Sequence, residues 1–167
     1  MILSEERGGE SASILDENAL KGSWPLWDIH GSIYRNRFAA GHVPWGAWFE
    51  NTLAHVAWTA YGSLTVDELV SKVFFPNTTT LVYDVFTRKE YRGHGLFSQT
   101  LSKIARTHFE KGGEEVIIYA DRRNAPSRAS IRNAGGIEYA SSVCLRLAKV
   151  RLMLKSPQTI FQHVEAL

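Results

Sequence analysis

Two glycines, Gly93 and Gly95, lie in a short segment that joins an apolar run to an amphipathic one. The two runs predict a strand followed by a helix, so the glycines fall where the first backbone N–H groups of the helix have no partner in the chain. The helix dipole adds partial positive charge there, and glycine lets a ligand approach the backbone closely. A diphosphate is the ligand that this arrangement favours.

The segment differs from two familiar phosphate-binding patterns. No Gly-Lys-Ser or Gly-Lys-Thr follows the glycines, which excludes a Walker loop. Ser98 stands where the dinucleotide pattern G-x-G-x-x-G requires a third glycine. Basic residues are bunched here and again further along the chain, where they form either a solvated surface or the surroundings of a polyanionic small molecule. They are Arg88, Lys89, Arg92, Arg122, Arg123, Arg128 and Arg132.

Asp84 is the candidate for proton transfer. It interrupts the apolar run 81–86, which predicts a strand buried on both faces. A carboxylate in such a strand costs free energy unless chemistry or an ion pair needs it. We therefore interpret Asp84 as a general base, with an ion pair to a buried arginine or the capping of a loop as the structural alternatives. Tyr83 is expected on the opposite face of the strand and becomes the candidate if a β-bulge shifts the register.

The elements around these residues alternate between strands and helices. They are, in order, a strand at 81–86, a helix at 96–110, a strand at 116–120, a helix at 124–134, one long or two short strands over 143–154 and a strand at 159–164. Apolar residues step by three and four along one face of the first helix, as in a helix that packs on a sheet. This order favours a mixed α/β core with one parallel crossover.

The preceding part of the chain is rich in aromatic residues. It predicts a helix near 26–38 and strands at 46–49 and 54–61, joined by a hairpin turn at 50–52. Residues 66–75 fit a strand or a helix. Aromatic side chains at this density favour core packing, and a binding surface is the alternative.

Composition limits the function further. The chain of 167 residues predicts one domain, 1–167, in which residues 1–23 are expected to be loosely ordered because they contain few apolar side chains. Its net charge of +2 gives no reason to expect a nucleic-acid partner. No apolar stretch predicts a signal peptide or a membrane span, so we expect a cytoplasmic protein with no membrane partner. The lone Cys144 excludes an internal disulfide, and the histidines show no spacing typical of a metal site.

The glycine segment resembles the acyl-CoA-binding motif of the GNAT superfamily of N-acetyltransferases. That motif has the form Gln/Arg-x-x-Gly-x-Gly/Ala and is often preceded by Pro-Glu-Tyr. Residues 92–97 match its arginine and its obligatory glycine, with Glu90-Tyr91 in front. They depart from it at Phe97, in place of a small residue, and at Lys89, in place of proline. The resemblance implies a central, mostly antiparallel sheet flanked by helices, with one parallel crossover at two splayed strands.

The resemblance also implies how acetyl-CoA binds. Its pyrophosphate would contact the backbone amides of Arg92, Gly93, His94, Gly95, Leu96 and Phe97, and the rest of the donor the strand backbone at Val85, Phe86 and Thr87. A second motif supports this, since Asn124, Ser127 and Gly135 have the spacing of an asparagine, a small residue and a glycine beside the pantetheine arm. Arg128 on the same helix is also predicted to contact the donor. Helix capping is the structural alternative for Asn124.

Two positions depart from the family in a way that affects catalysis. Many members have a tyrosine seven residues after the asparagine, where its hydroxyl can protonate the departing thiolate, but this chain has Ile131. Gly136 stands where the family usually has phenylalanine. The general acid is therefore absent, supplied by another group such as Tyr139 or Ser130, or replaced by water.

The resemblance implies an N-acetyltransferase that uses acetyl-CoA and a small, unidentified amine without a metal, by direct attack in a ternary complex. A non-catalytic acyl-CoA-binding or sensing module on the same fold is the alternative, because the family's tyrosine is absent. A protein-interaction domain that uses the tryptophan-rich region is a third interpretation. A homodimer is left open.

Overall fold

The computed structural model describes residues 12–66, 71–138, 142–147, 150–155 and 163–166. Four helices and ten strands lie in these ranges. The helices are α1 (Glu17–Ser23), α2 (Trp27–Ala39), α3 (Leu96–Glu110) and α4 (Ala125–Asn133). The strands are β1 (Ser13–Ile14), β2 (Val43–Phe49), β3 (Thr52–Tyr61), β4 (Ser63–Val66), β5 (Ser71–Phe74), β6 (Thr79–Thr87), β7 (Glu115–Ile118), β8 (Ser142–Leu147), β9 (Val150–Lys155) and β10 (His163–Ala166).

The central sheet has five strands in the order β1-β2-β3-β6-β7. Every neighbouring pair is antiparallel except β6 and β7, which run parallel because α3 carries the chain back to the start of the sheet. This confirms the mixed, mostly antiparallel sheet with one parallel crossover. Two smaller sheets contain β10-β5-β4 and β8-β9.

Each face of the central sheet packs against two helices, because successive side chains of a strand point to opposite faces. Leu20 of α1 and Tyr34 of α2 join Trp58 and Leu81 in one cluster, which defines the α2 face. Leu101 and Ile104 of α3 and Ile131 of α4 contact the other side of the sheet around Val82, which defines the α3 face. The sheet therefore separates two distinct helical layers.

Most of the local predictions are confirmed. The helix α3 has the predicted bounds, and the β2–β3 hairpin turns at Glu50 and Asn51, whose φ angles of 46° and 64° are typical of a tight hairpin turn. Residues 143–154 form two strands, β8 and β9. The ambiguous stretch 66–75 contains the strand β5, and residues 67–70 lie outside the described ranges. The last predicted strand, 159–164, overlaps β10 at residues 163 and 164. Residues 159–162 lie outside the described ranges.

The prediction of loose order over residues 1–23 is wrong for its second half. Residues 17–23 form α1, and the Asp16 side chain caps it by accepting a hydrogen bond from the Ala19 N–H at 2.7 Å. Leu20 is completely buried and anchors this short helix to the core. The apolar content is low, but it is placed on the buried side. Residues 1–11 lie outside the described ranges.

Within the described residues, no helix is long and apolar enough to cross a membrane.

Candidate functional site

The parallel pair β6–β7 separates before β6 ends. Pairing covers Thr79 to Val82 of β6, whereas β6 continues to Thr87 and remains paired with β3. The Arg88 N–H donates to the Ala54 carbonyl of β3 at 2.9 Å, so the backbone groups of Thr87 and Val85 alternate toward the unpaired edge. We call this region, residues 83–87 of β6, the split. Its open backbone can bind an extended ligand as a further strand would.

Phe86 does not belong to that open edge. Its backbone pairs with Val56 of β3, and its ring packs edge-on against Trp24 at 5.8 Å on the α2 face. Of the three strand residues predicted to contact the donor, Val85 and Thr87 have backbone groups on the unpaired edge, and Phe86 has its side chain on the opposite face of the sheet.

A β-bulge at Asp84 reorients the strand. Tyr83 is paired with Trp58 and Phe86 with Val56, so Asp84 and Val85 together face the single residue Ala57. Asp84 adopts a left-handed backbone with φ of 44°, which is uncommon for a residue other than glycine. As a result, Tyr83 and Asp84 both contact Arg37 from α2. The expectation that Tyr83 lies on the opposite face from Asp84 is wrong, because the bulge breaks the alternation.

The expected burial of Asp84 is also wrong. Its side chain is 47% exposed and forms an ion pair through Oδ2 with Arg37, whose side chain is 19% exposed. The pairing with an arginine matches the structural alternative, with the difference that the pair lies at the rim of a cavity. No described residue donates a hydrogen bond to Oδ1 of Asp84, so this oxygen is left as an acceptor at the surface.

Arg37 is held by aromatic rings as well as by Asp84. Its guanidinium carbon lies 5.0, 5.1 and 5.6 Å from the ring centroids of Tyr83, Trp58 and Tyr34. The Tyr83 hydroxyl is hydrogen-bonded to Nδ1 of His42 at 2.6 Å. Burial raises the pKa of Tyr83 above its usual range, and burial, with Arg37 nearby, lowers the pKa of His42. Tyr83 is thus neutral and lies between His42 and Arg37.

A cavity of about 350 Å³ opens on the α2 face beside the split. The residues that line it come from the α1–α2 connection, α2, β3 and β6. They are Trp24, Leu26, His30, Ile33, Tyr34, Arg37, Val56, Trp58, Asp84 and Phe86. This volume is within the usual range of small-molecule sites, and we call it the α2 cavity.

The glycine turn, residues 92–97, lies at the N-terminus of α3. Gly93 and Gly95 have φ angles of 87° and 76°, a left-handed conformation that glycine adopts without strain. The backbone N–H groups of residues 93–98 have no acceptor within the described part of the chain, and no side chain caps the helix. The unpaired amides at the helix start have the geometry predicted from the sequence, and their binding of a diphosphate stays a prediction.

The side chains of this turn fix its position. Leu96 is buried on the α3 face. The Phe97 ring stacks on the His55 ring with 5.8 Å between ring centroids, and the centroids of the His94 and Phe49 rings are 4.5 Å apart. Nε of Arg92 donates to the Thr87 carbonyl at 3.2 Å, which ties the turn to the open edge of β6. The free amides and the split are therefore adjacent.

The second motif begins α4. Oδ1 of Asn124 accepts a hydrogen bond from the Ser127 N–H at 3.1 Å, so Asn124 is an N-cap, as its structural alternative states. Arg128 forms an ion pair with Glu138 at 2.9 Å and donates to the Arg122 carbonyl at 3.4 Å. These contacts account for the local structure of Asn124 and Arg128, and a role in donor binding stays a prediction.

Solved structures share this architecture. An aminoglycoside N-acetyltransferase in complex with CoA matches with a TM-score of 0.61 over 87% of this chain and 99% of its own, at 17% identity. An aminoglycoside 6'-N-acetyltransferase from Acinetobacter baumannii matches with a TM-score of 0.57 over 81% of this chain and 96% of its own, at 15% identity. An acetyltransferase from Trypanosoma brucei matches with a TM-score of 0.55 over 81% of this chain and 98% of its own, at 17% identity. The chain has the GNAT fold. No protein-family profile and no curated protein matches the sequence.

Ile131 and Gly136, the two departures from the GNAT pattern that affect catalysis, pack against each other. The Ile131 side chain lies in the apolar cluster of the α3 face, and the Gly136 N–H donates to the Ile131 carbonyl at 2.9 Å. A Cβ atom at Gly136 would lie 2.6 Å from Cγ2 of Ile131, which is too close for any larger residue without rearrangement. Ile131 and Gly136 are thus one packing solution. Tyr139, predicted as an acid, lies outside the described residues.

Three residues of this GNAT fold were not singled out by the sequence. Arg37 and His42 carry no local motif, and only their contacts with Asp84 and Tyr83 reveal them. His55 is completely buried between β6 and α3, with Nδ1 bonded to Oγ1 of Thr87 at 2.7 Å and Nε2 without a described partner. Burial lowers the pKa of His55 to about 4. A histidine in an otherwise apolar strand was the available signal for His55.

Proposed function

We propose that the protein transfers an acetyl group from acetyl-CoA to the amine of a small molecule. One observation carries the proposal: the split lies between unpaired helix-start amides on the α3 face and a cavity with a carboxylate on the α2 face. A donor bound along the α3 face and an acceptor in the α2 cavity would meet at the split. The GNAT fold of solved acetyltransferases supports the same assignment.

The donor side supplies binding. The amides of residues 93–98 suit a diphosphate, and the backbone of Val85 and Thr87, which β7 does not pair, suits the amides of an extended pantetheine arm. Arg92 contributes positive charge beside the same edge. Because these contacts are made with the diphosphate and the pantetheine arm, they would hold CoA independently of the acyl group.

The acceptor side supplies the chemistry. An amine has a solution pKa of roughly 10 and must be neutral when its lone pair attacks the thioester carbon. The C–N bond forms, the C–S bond breaks with its electron pair on sulfur, and the amine proton must leave. We assign the acceptance of that proton to Oδ1 of Asp84, directly or through one water molecule, since the other carboxylate oxygen is paired with Arg37. The thiolate, with a pKa of about 8.5, needs little assistance to depart.

Turnover with a panel of amines tests this function. Acetyl-CoA should raise the melting temperature by mass action on the folded state, and release of the free CoA thiol should require an amine. Mass spectrometry of the product should show the addition of one acetyl group. A donor-dependent rise in melting temperature with no thiol release for any amine would contradict the transferase.

Donor binding without thiol release would favour an acyl-CoA-binding or sensing module. One observation keeps this candidate: Ile131 packs into the apolar cluster of the α3 face, where many GNAT proteins have a tyrosine acid. A sensing module needs donor binding without acceptor chemistry, so the amine dependence of thiol release separates the two functions.

A further inference from the structure

The α2 cavity has an apolar lining with little net charge. Four of its ten lining residues are the aromatic Trp24, Tyr34, Trp58 and Phe86, and three more, Leu26, Ile33 and Val56, are aliphatic. Ile33 and Phe86 are 47% and 39% exposed, so apolar surface remains uncovered at the cavity. A ligand that covers these two side chains gains the hydrophobic contribution of their burial.

The cavity offers one carboxylate group to a cationic ligand. Among the described residues that line it, Asp84 is the one carboxylate, and its Oδ2 is already paired with the Arg37 guanidinium. One carboxylate oxygen is left for a substrate ammonium. Additional positive charges on a ligand would meet Arg37 and no further carboxylate of the lining, and unpaired like charges disfavour binding.

The rings restrict how a cation can bind. Arg37 already lies over one face of Tyr34, Trp58 and Tyr83, so a second cationic group would share these rings with a like charge. Phe86 is the exposed ring, and it lies two residues beyond Asp84 on β6. A ligand with its amine at Asp84 can therefore place an apolar body against Phe86 and Ile33.

We propose that the acceptor of this protein is a small monoamine with an aromatic or similarly bulky apolar body, and not a polycation. The proposal rests on the proposed function, because it identifies the substrate class of the same site. It distinguishes this chain from the structurally similar proteins whose names specify aminoglycosides. The amine is directed to Oδ1 of Asp84, and the apolar body covers Phe86, Ile33 and Leu26.

The test compares four amines: 2-phenylethylamine, ethylamine, neamine and spermidine. Binding is measured by isothermal titration, and transfer by release of the CoA thiol. We expect kcat/KM for 2-phenylethylamine to exceed that for each of the other three by about tenfold or more, the size expected for burying a ring against an apolar wall. Preference for neamine or spermidine, or equal values for ethylamine and 2-phenylethylamine, would overturn the proposal.

Binding separates this proposal from the proposed function. If 2-phenylethylamine binds best of the four but no amine releases thiol, the transferase fails and the assigned ligand class stands. If neamine is acetylated fastest, the transferase stands and the ligand class fails.

A pair of variants on α2 locates the effect. Ile33→Glu places a carboxylate at the cavity, and we expect kcat/KM to fall about tenfold for 2-phenylethylamine and to rise for spermidine. Ile29→Glu is the matched control, because Ile29 is 70% exposed on the same helix, one turn earlier, and does not line the α2 cavity. Both are surface positions, so both variants should fold. Equal effects of the two substitutions would contradict the assignment of the amine site to this cavity.

Discussion

The two sides of the split are built in different ways. On the α3 face, the candidate donor site consists of backbone amides in consecutive residues, held by two glycines with positive φ. On the α2 face, the cavity consists of side chains from α2, β3 and β6, and its ion pair joins residues 47 positions apart. The donor site is therefore a property of one local segment, whereas the α2 cavity is a property of the whole packed fold.

This difference has a consequence for substitution. A backbone site tolerates changes of exposed side chains and is lost when the chain conformation changes. A side-chain site keeps its shape when the local backbone is conserved, yet changes its specificity with single residues such as Ile33. One GNAT fold can thus retain the donor while the acceptor varies.

The largest expected effect follows from breaking the donor side. Gly95→Glu forces a side chain onto a residue with φ of 76° and adds a carboxylate where the diphosphate is expected. We expect acetyl-CoA affinity to fall from micromolar to millimolar, about a thousandfold, measured by isothermal titration and by loss of the ligand-induced rise in melting temperature. Gly112→Glu is the control, since Gly112 has φ of 83° and open space around it at the far end of α3. Unchanged binding by the Gly95 variant would remove the diphosphate assignment.

The next effect concerns the chemistry of the α2 face. Asp84→Asn retains the size of the side chain and removes the negative charge that Arg37 and a substrate amine share. We expect the rate of acetyl transfer to fall about a hundredfold, as for a lost general base, with acetyl-CoA affinity unchanged. If the loss of activity is accompanied by an equal loss of thermal stability, Asp84 has a structural role in holding Arg37.

The same contrast explains which features could be predicted from the sequence. The bounds of α3 and the glycine turn were predictable because helix periodicity and left-handed glycines are encoded by neighbouring residues. The environment of Asp84 was not, since the bulge that turns it outward depends on the register with β3. Arg37 could not be found at all, because its role arises from a contact between α2 and β6. Burial of α1 by one residue, Leu20, is likewise a tertiary effect.

A smaller effect tests what supports the donor side. His55 lies beneath Phe97 and Thr87, and burial lowers its pKa to about 4 from an unfolded value near 6.5. The unfolded chain therefore binds a proton that the folded chain excludes, and stability decreases as the pH falls from about 6.5 toward 4. Between pH 7 and pH 5 this histidine should reduce the free energy of unfolding by about 2 kcal/mol.

Urea unfolding at the two pH values measures this effect. His55→Asn, which cannot titrate, should reduce the pH dependence by that amount, and Thr87→Val should retain it because the imidazole stays buried. His42 also has a lowered pKa, from burial and from Arg37, so the difference between wild type and His55→Asn is the informative quantity. The same pH dependence in wild type and His55→Asn would mean that His55 is accessible to protons in the folded state.

The smallest expected effect is on thiolate departure, where the two sides of the split meet. Ile131 packs inward and provides no acid, and a thiolate of pKa about 8.5 can leave as an anion near the arginines around α4, such as Arg122 and Arg128. We therefore expect Tyr139→Phe to change kcat by no more than a few-fold. Tyr119→Phe is the matched comparison, because Tyr119 directly follows β7 and influences Tyr83 electrostatically across the split. A loss of about a hundredfold in one variant, with an unchanged melting temperature, would identify that tyrosine as the acid. Small effects in both would instead exclude the two tyrosines and leave Ser130, a water molecule or departure of the thiolate as an anion, so that proton removal on the α2 face would be the step that most needs a dedicated side chain.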